Sequence, residues 1–505
     1  MASLRETIEG VLAVDPEAAA VESDGQWWSW GDLSRVKRQF ETALEAAGLG
    51  AGVRIGAMLR NQPACAAVLA AIVSGDRCVV TLNPGLPDEK LAADIANLGL
   101  PVVVGCARDW DRPAVMSAAK QAGVLGILLP DSPGEAVRLV EGLERVTTAE
   151  VREAPGIAIE MLTSGTTGVP KRIPLKTRLF EKMLNDSAIY ERDRQGDDTP
   201  RLRKGINFVM IPFAHMGGVW SVMNTLVSGR QMFMLEKFAI APFVEGLRRH
   251  RPRVLGTPPA ILRMVLDAGV SPDDLRSVKA WRTSTAPLDP DTADAFFARY
   301  GIPVLQVYGA TEFAGGVAGW TLDDFHAHGS RKRGSVGRLN PGIQGRILDP
   351  ETRAPLPAGA EGVLSLRAGH LGDGQAWIDT TDRAVLDEDG FLFIKGRYDN
   401  AIIRGGFKIM PDDVVRAIEQ HPAVLEAAVG SIPDDRLGEL PVAAYIVRAG
   451  QAAPSDEDLK AFLRERLSSY QVPVEIRPVA ELPRTVSMKV SALALREMFA
   501  GTARP

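Results

Sequence analysis

Nine consecutive residues, TSGTTGVPK from Thr163 to Lys171, gather four hydroxyls, two glycines and a lysine into one short stretch. Thr163, Ser164, Thr166 and Thr167 supply hydroxyl donors. Gly165 and Gly168 let the backbone turn tightly and bring its amides close to a ligand, and Lys171 adds positive charge. A polyphosphate suits that set of donors. The same cluster standing alone would equally suit a bare polar turn between a strand and a helix. The Walker arrangement GxxxxGK[ST] is not met, because Pro170 precedes Lys171 and Arg172 follows it, so a kinase or P-loop ATPase is disfavoured.

The loop follows the apolar run IAIEML and precedes a helical stretch that starts near Lys176. From about Ile157 to Tyr308 short apolar runs (INFVMIP, QMFML, RVLG, VKAW, PVLQVY) alternate with amphipathic segments at Pro242–His250, Ala260–Ala268 and Pro290–Tyr300. That alternation predicts βαβ units, in which ligands sit beyond the carboxyl ends of the strands. A similar unit is expected over residues 27–130. Between Gly334 and Ile394 short strands and turns take over, and the tail carries its own strands (EAAVGSI, VAAYIV) and helices (Asp412–Gln420, Asp456–Leu467). The expected fold is therefore α/β. A large N-terminal domain, residues 1–396, has parallel-type sheets with packed helices and a β-rich subdomain at about 334–396; a small mobile α+β domain, residues 397–505, follows.

The 505 residues exceed what one hydrophobic core organises, and 46 % apolar with 24 % charged residues is ordinary for a globular chain. A net charge of −5 without a long basic run argues against nucleic acid or an anionic membrane as partner. Cys65, Cys78 and Cys106 show neither disulfide-framework nor zinc spacing, and a reducing cytoplasm fits them. The start, MASLRETIEG, lacks a signal-peptide core, and Ala64–Val73 falls short of the roughly 20 residues that span a bilayer. None of the six histidines is paired with a serine nucleophile or placed at metal spacing.

Taken in chain order, TSGTTGVPK, IPFAHMGG (211–218), STAPL (284–288), YGATE (308–312), GSVGR (334–338), TTD (380–382), GRYDNAIIRGGFKI (396–409) and PRTVSMK (483–489) resemble the signature segments of the adenylate-forming superfamily. That superfamily comprises acyl-CoA synthetases, peptide-synthetase adenylation domains and luciferases, and the chain looks most like its acyl- or aryl-CoA ligase branch. The resemblance implies ATP-dependent activation of a carboxylic acid as an acyl-adenylate with release of pyrophosphate. Two anions must then meet, so cations and Mg²⁺ are required to neutralise developing charge. Lys489, Glu312, Thr166 and His215 form the implied catalytic set. Glu312 would hold Mg²⁺, a hard ion suited to carboxylate oxygen. Lys489 would bridge acid and α-phosphate. Tyr308 and Gly309 would line the adenine pocket, Ser284, Thr285 and Ala286 would also bind ATP or AMP, Thr311 would meet the phosphates, and Asp382 and Arg397 would grip the ribose. Two departures stand out: Met488 occupies a position where the family has Gly, and the segment before Asp382 is short and lacks a GYxxxPE-like element.

By the same resemblance His215 is an aromatic gate in the acid channel, and no Asp stands near it to bind an α-ammonium. The implied pocket walls, Met216, Gly217, Trp220, Thr283, Ala314 and Gly315, are apolar or compact, which suits an aryl or medium-length alkyl acid rather than an amino acid. Gly405 and Gly406 imply a backbone passage for the pantetheine of coenzyme A, and Asp399 a hinge between two working poses of the C-terminal domain. Transfer of the acyl group to an amine, luciferase-like oxidation and a non-catalytic nucleotide-binding protein are the alternatives. The sequence leaves room for a homodimer. Replacing Lys489 with Ala is expected to lower adenylate formation by at least ~10² while conversion of a supplied acyl-adenylate to thioester survives; separate rate measurements on the two half-reactions check it, and equal loss in both would refute the role.

Overall fold

The computed structural model describes residues 3–148, 151–163, 171–186, 199–310, 313, 315–368, 376–485 and 489–500. Chain contacts divide it into two compact units, the first running to Thr163 and from Arg172 to Gly329, the second from Ser330 onward. The expected α/β class is observed. The boundary expected after Gly396 lies inside the second unit.

Three sheets build the first unit. The first has the strand order Arg138–Leu139, Leu125–Leu128, Val102–Gly105, Arg54–Met58, Cys78–Leu82, Ile157–Thr163, Lys171–Lys176. Its central pairings are parallel. Strands 54–58, 78–82 and 102–105 are buried at every position, as expected of a sheet covered on both faces. The cover includes Pro63–Ser74, a helix buried on every side; Pro63 opens it, where a missing N–H costs nothing, and Gly75 closes it. The apolar stretch Ala64–Val73 is thus an interior helix, and among the described residues no helix is long and apolar enough to cross a membrane. All three cysteines are free and buried around this sheet.

The second sheet runs Ile206–Val209, Gln231–Met234, Ala19–Ser23, Gln26–Ser29. The third includes Val254–Thr257, Ala280–Thr283, Val304–Ala310 and Gly315–Gly319, the first three parallel and the last antiparallel. Its cover is the helix Pro290–Tyr300, capped by the Asp289 side chain and stopped by Gly301 in the left-handed conformation. Trp281 and Phe296 meet edge to face at 5.0 Å between ring centres, and the Trp281 indole N–H donates to the Thr257 hydroxyl at 2.7 Å.

In the second unit Gln344–Leu348, Glu361–Arg367, Ile378–Leu386 and Leu392–Arg397 form an antiparallel meander, the anticipated β-rich segment. The tail sheet runs Phe407–Ile409, Ile402–Arg404, Gly438–Val447, Val424–Asp434, with Glu475–Val479 parallel to Gly438–Val447. Helices Pro411–Glu419 and Asp456–Arg464 lie within a residue or a turn of their expected places. One connection differs. A strand, Lys171–Lys176, separates the hydroxyl-rich loop from the helix Thr177–Asp186, because the alternation of Ile173 and Leu175 adds an edge strand to the first sheet before helix begins.

Phe296 is fully buried between Trp281 and Tyr300, so Phe296→Ala is expected to lower the unfolding free energy by about 3–5 kcal/mol. The denaturant midpoint measures it; a loss below ~1 kcal/mol would mean that the helix does not hold this sheet.

Candidate functional site

In the first unit the strands of the second and third sheets end where the motif segments begin. IPFAHMGG leaves strand 206–209 and turns into the helix Met216–Val227. His215 is the N-cap residue of that helix; its amide donates to the Pro212 carbonyl at 3.0 Å, and its carbonyl accepts from Gly218 and Val219 at 3.0 and 3.1 Å. The turn is so tight that a Cβ on Gly218 would lie 2.2 Å from the Pro212 carbonyl oxygen. A Cβ on Gly217 would meet only ordinary contacts at 3.5 Å, from Ile211 and from the Thr285 methyl. Thus the start of this helix and the STAPL turn after strand 280–283 stand face to face.

Thr285 holds φ at +75°, a conformation that a β-branched residue adopts only under constraint and that concentrates at functional sites. The Thr283 hydroxyl, in a residue 1 % exposed, and the Thr285 hydroxyl are buried without a hydrogen-bond partner among the described residues. Buried hydroxyls are normally satisfied. Here two of them lie together at one strand end, at the turn where Thr285 is strained.

Strand 304–310 carries Tyr308, half-buried, and Gly309. Gly309 is opposite Gly316, and any Cβ there would lie 2.0 Å from the Gly315 carbonyl oxygen, so the two backbones touch directly. Gly315 has φ +149°, and a Cβ on it would lie 2.8 Å from the Met183 sulfur. Met216 and Trp220 pack against the same core cluster as Met183. The acid-pocket expectations Met216, Gly217, Trp220 and Gly315 therefore fall on neighbouring elements, together with Met183, which sequence reasoning did not select. Leu179, Phe180, Met183 and Leu184 recur at helical spacing, and such a stripe reads as core.

In the second unit Asp382 and Arg397 are direct partners across neighbouring strands. Arg397 Nε lies 4.0 Å from Asp382 Oδ1, donates to Asp399 Oδ1 at 2.8 Å, and Nη2 donates to the Thr381 hydroxyl at 2.6 Å and Asp399 Oδ2 at 2.7 Å. The two expected ribose residues and the expected hinge residue are thus one cluster, with Asp399 in a short 3₁₀ turn, Tyr398–Asn400. Across that turn Arg383 Nη1 donates to Asp413 Oδ2 at 2.9 Å, its Nη2 reaches Asp413 Oδ1 and the Lys395 carbonyl, and Arg416 also pairs with Asp413. Burial works against the Arg383 charge, yet its bonds to Asp413 carry the guanidinium pKa upward. Burial pushes the Asp412 carboxyl above its ordinary range.

Gly405 and Gly406 form the tip of the hairpin between strands 402–404 and 407–409, at φ +58° and +87°. Among the described residues no atom lies within 4 Å of where a Gly406 Cβ would be. Phe407, 58 % exposed, stacks on Tyr470 at 4.8 Å. Lys489 is exposed, and its carbonyl accepts from the Thr485 amide at 2.7 Å. Ser164, Gly165, Thr166, Thr167, Thr311, Glu312, Ala314 and Met488 lie outside the described residues, as does the short segment 369–375 before Asp382; Thr163 ends strand 157–163 and Lys171 begins strand 171–176.

Comparison with known proteins bears on these segments. Residues 8–374 match the family described as AMP-binding enzyme, and residues 416–489 match the AMP-binding enzyme C-terminal domain. The chain is 27 % identical to the 4-coumarate–CoA ligase-like 9 of Oryza sativa subsp. japonica, covering 99 % of this chain and 93 % of that one. It is 28 % identical to the fatty acid–[acyl-carrier-protein] ligase ScoC of Streptomyces coeruleorubidus, covering 96 % and 94 %. Among solved structures, the amide bond synthetase McbA from Marinactinospora thermotolerans superposes with a TM-score of 0.79 at 25 % identity, over 99 % of this chain and 100 % of that one.

Gly218→Ala is expected to cost about 1–3 kcal/mol and displace the His215 turn, since backbone must move to admit the methyl, while Gly217→Ala keeps near wild-type stability. Unfolding midpoints of the two variants compare them directly, and equal midpoints would overturn the crowding argument.

Proposed function

The chain belongs to the AMP-binding enzyme family, and from that membership we propose that it adenylates a hydrophobic carboxylic acid, aryl or medium-length alkyl, and passes the acyl group to the thiol of coenzyme A. It is an AMP-forming ligase of the adenylate-forming kind, using ATP, Mg²⁺ and coenzyme A. The observation that carries the acid reading is the meeting of the His215–Gly217 helix start with the strained Thr285 turn, beside two buried hydroxyls that find no partner among the described residues.

The described residues suit these groups. Gly309 leaves bare backbone against which a flat base can lie, and Asp382 and Arg397 offer an acceptor and a donor to ribose hydroxyls. Mg²⁺ keeps much of its water and takes few protein ligands when it binds with phosphate, so Glu312 as its one carboxylate suffices. When bound, the ion neutralises charge that develops on the phosphates. Lys489 would supply a compact positive charge to the acid and α-phosphate oxygens, the hydroxyl-rich loop 163–171 with Lys171 would cradle the phosphates, and the Gly405–Gly406 tip would offer a pantetheine arm backbone that carries no side chain of its own. We propose that the domains meet at 396/397 and turn about Asp399, whose carboxylate is held by Arg397.

The likeness to an amide bond synthetase over the whole chain favours one second reading, transfer of the acyl group to an amine. A panel of carboxylic acids scored by pyrophosphate release with ATP and Mg²⁺, followed by mass spectrometry of products with coenzyme A or amines, tests both. Aryl or alkyl acids should exceed every proteinogenic amino acid by about tenfold or more in kcat/KM, ~1.4 kcal/mol of discrimination. Preference for an amino acid would sink the pocket reading, and an amide in place of a thioester would select the second.

A further inference from the structure

Asn61 follows strand 54–58 of the first sheet and is 2 % exposed. Its Nδ2 donates to the Ile211 and Leu235 carbonyls, each at 3.1 Å, and its Oδ1 accepts from the Phe213 amide at 3.0 Å. These partners lie 150, 174 and 152 residues away in sequence. Ile211 and Phe213 flank Pro212, the residue whose carbonyl receives the His215 amide. The asparagine therefore holds both sides of the turn that aims His215 and starts the helix bearing Met216 and Gly217.

We infer that Asn61 is a positioning residue for acid binding, fixing the His215–Gly217 wall against the end of the first sheet. The inference rests on the reading of that wall as acid pocket. An amide is the one short side chain that offers two donors and an acceptor in a plane, which is what two buried carbonyls and a buried N–H demand. Leaving them unsatisfied costs the desolvation of each, so the turn cannot keep its place without the amide. The neighbouring Arg60 makes a second bridge between the same sheets, donating to Asp109 at 2.6 Å and to Glu236 at 3.1 Å, and among the described residues none of its hydrogen bonds goes to 211–218. The two bridges separate holding the sheets together from aiming the turn.

The test is a kinetic split in three variants. Asn61→Asp keeps the acceptor for Phe213 and loses the donors when ionised; Asn61→Ser keeps one short donor; Glu236→Gln weakens the pairs of Glu236 with Arg60 and Arg108 and removes no bond of Asn61. KM for the acid and for ATP is measured by pyrophosphate release with the best acid of the panel. Acid KM should rise about tenfold or more in the Asn61 variants with ATP KM within twofold, and stay at wild type in Glu236→Gln, since displacement of a binding wall by an ångström carries penalties of that order. The Asp variant should recover acid affinity as the pH is lowered and its carboxyl regains a donor. Equal shifts in both KM values, an acid KM shift in Glu236→Gln to match, or failure of both Asn61 variants to fold would overturn the inference and leave Asn61 as scaffold. A wild-type enzyme that releases no pyrophosphate with any acid would instead overturn the functional reading itself.

Discussion

A parallel strand ends with backbone groups that no neighbouring strand completes, and in a sheet covered on both faces water cannot reach them. The organisation of the first unit follows from that constraint. The segments leaving its strands must bond to something polar, and buried side chains between the sheets supply it. Asn61 closes three such groups at once. Gly309 and Gly218 solve the same problem by contact, bringing backbone against backbone where no side chain fits. Among the described residues the hydroxyls of Thr283 and Thr285 are left over, and they are the polar groups on which the proposed acid site rests.

The second unit faces a different demand. Its sheets, antiparallel but for the edge strand Glu475–Val479, satisfy their own backbone, and the residues expected to act there include charged side chains set on strand pairs and turns. Arg397 draws Asp399, Thr381 and Asp382 around one guanidinium, whose planar fork can serve several oxygens at once. Arg383 and Arg416 converge on Asp413 from the other side of the Tyr398–Asn400 turn.

Much of this was legible in the sequence. Elements at Ile240–His250, Pro290–Tyr300 and Val424–Asp434 stand where periodicity put them, because apolar spacing of two or three to four records which face is buried. The motif residues were legible as well, since glycines and hydroxyls at strand ends advertise turns. Asn61 and Met183 were not. Each acts through a partner more than 100 residues away, Met183 against Gly315 and Asn61 against Ile211, and a single sequence carries no signal of such pairings. The strand Lys171–Lys176 was missed because its alternation is only two residues deep, too short to outweigh the helix that follows.

The three cysteines give this molecule a built-in clock for one of its parts. Cys65 lies in the buried helix Pro63–Ser74, Cys78 opens strand 78–82, and Cys106 follows strand 102–105, so every thiol belongs to the first sheet and its cover. Burial pushes the Cys78 thiol up to about 12, leaving almost no thiolate in the folded state. An alkylating reagent can therefore react with it only when that sheet opens, and the labelling rate reports the opening frequency of this one layer. The other two sheets of the first unit and the whole second unit carry no thiol, so their motions are silent in the same measurement. A chain with several sheets thus allows the exchange kinetics of a single one to be read without any engineered probe.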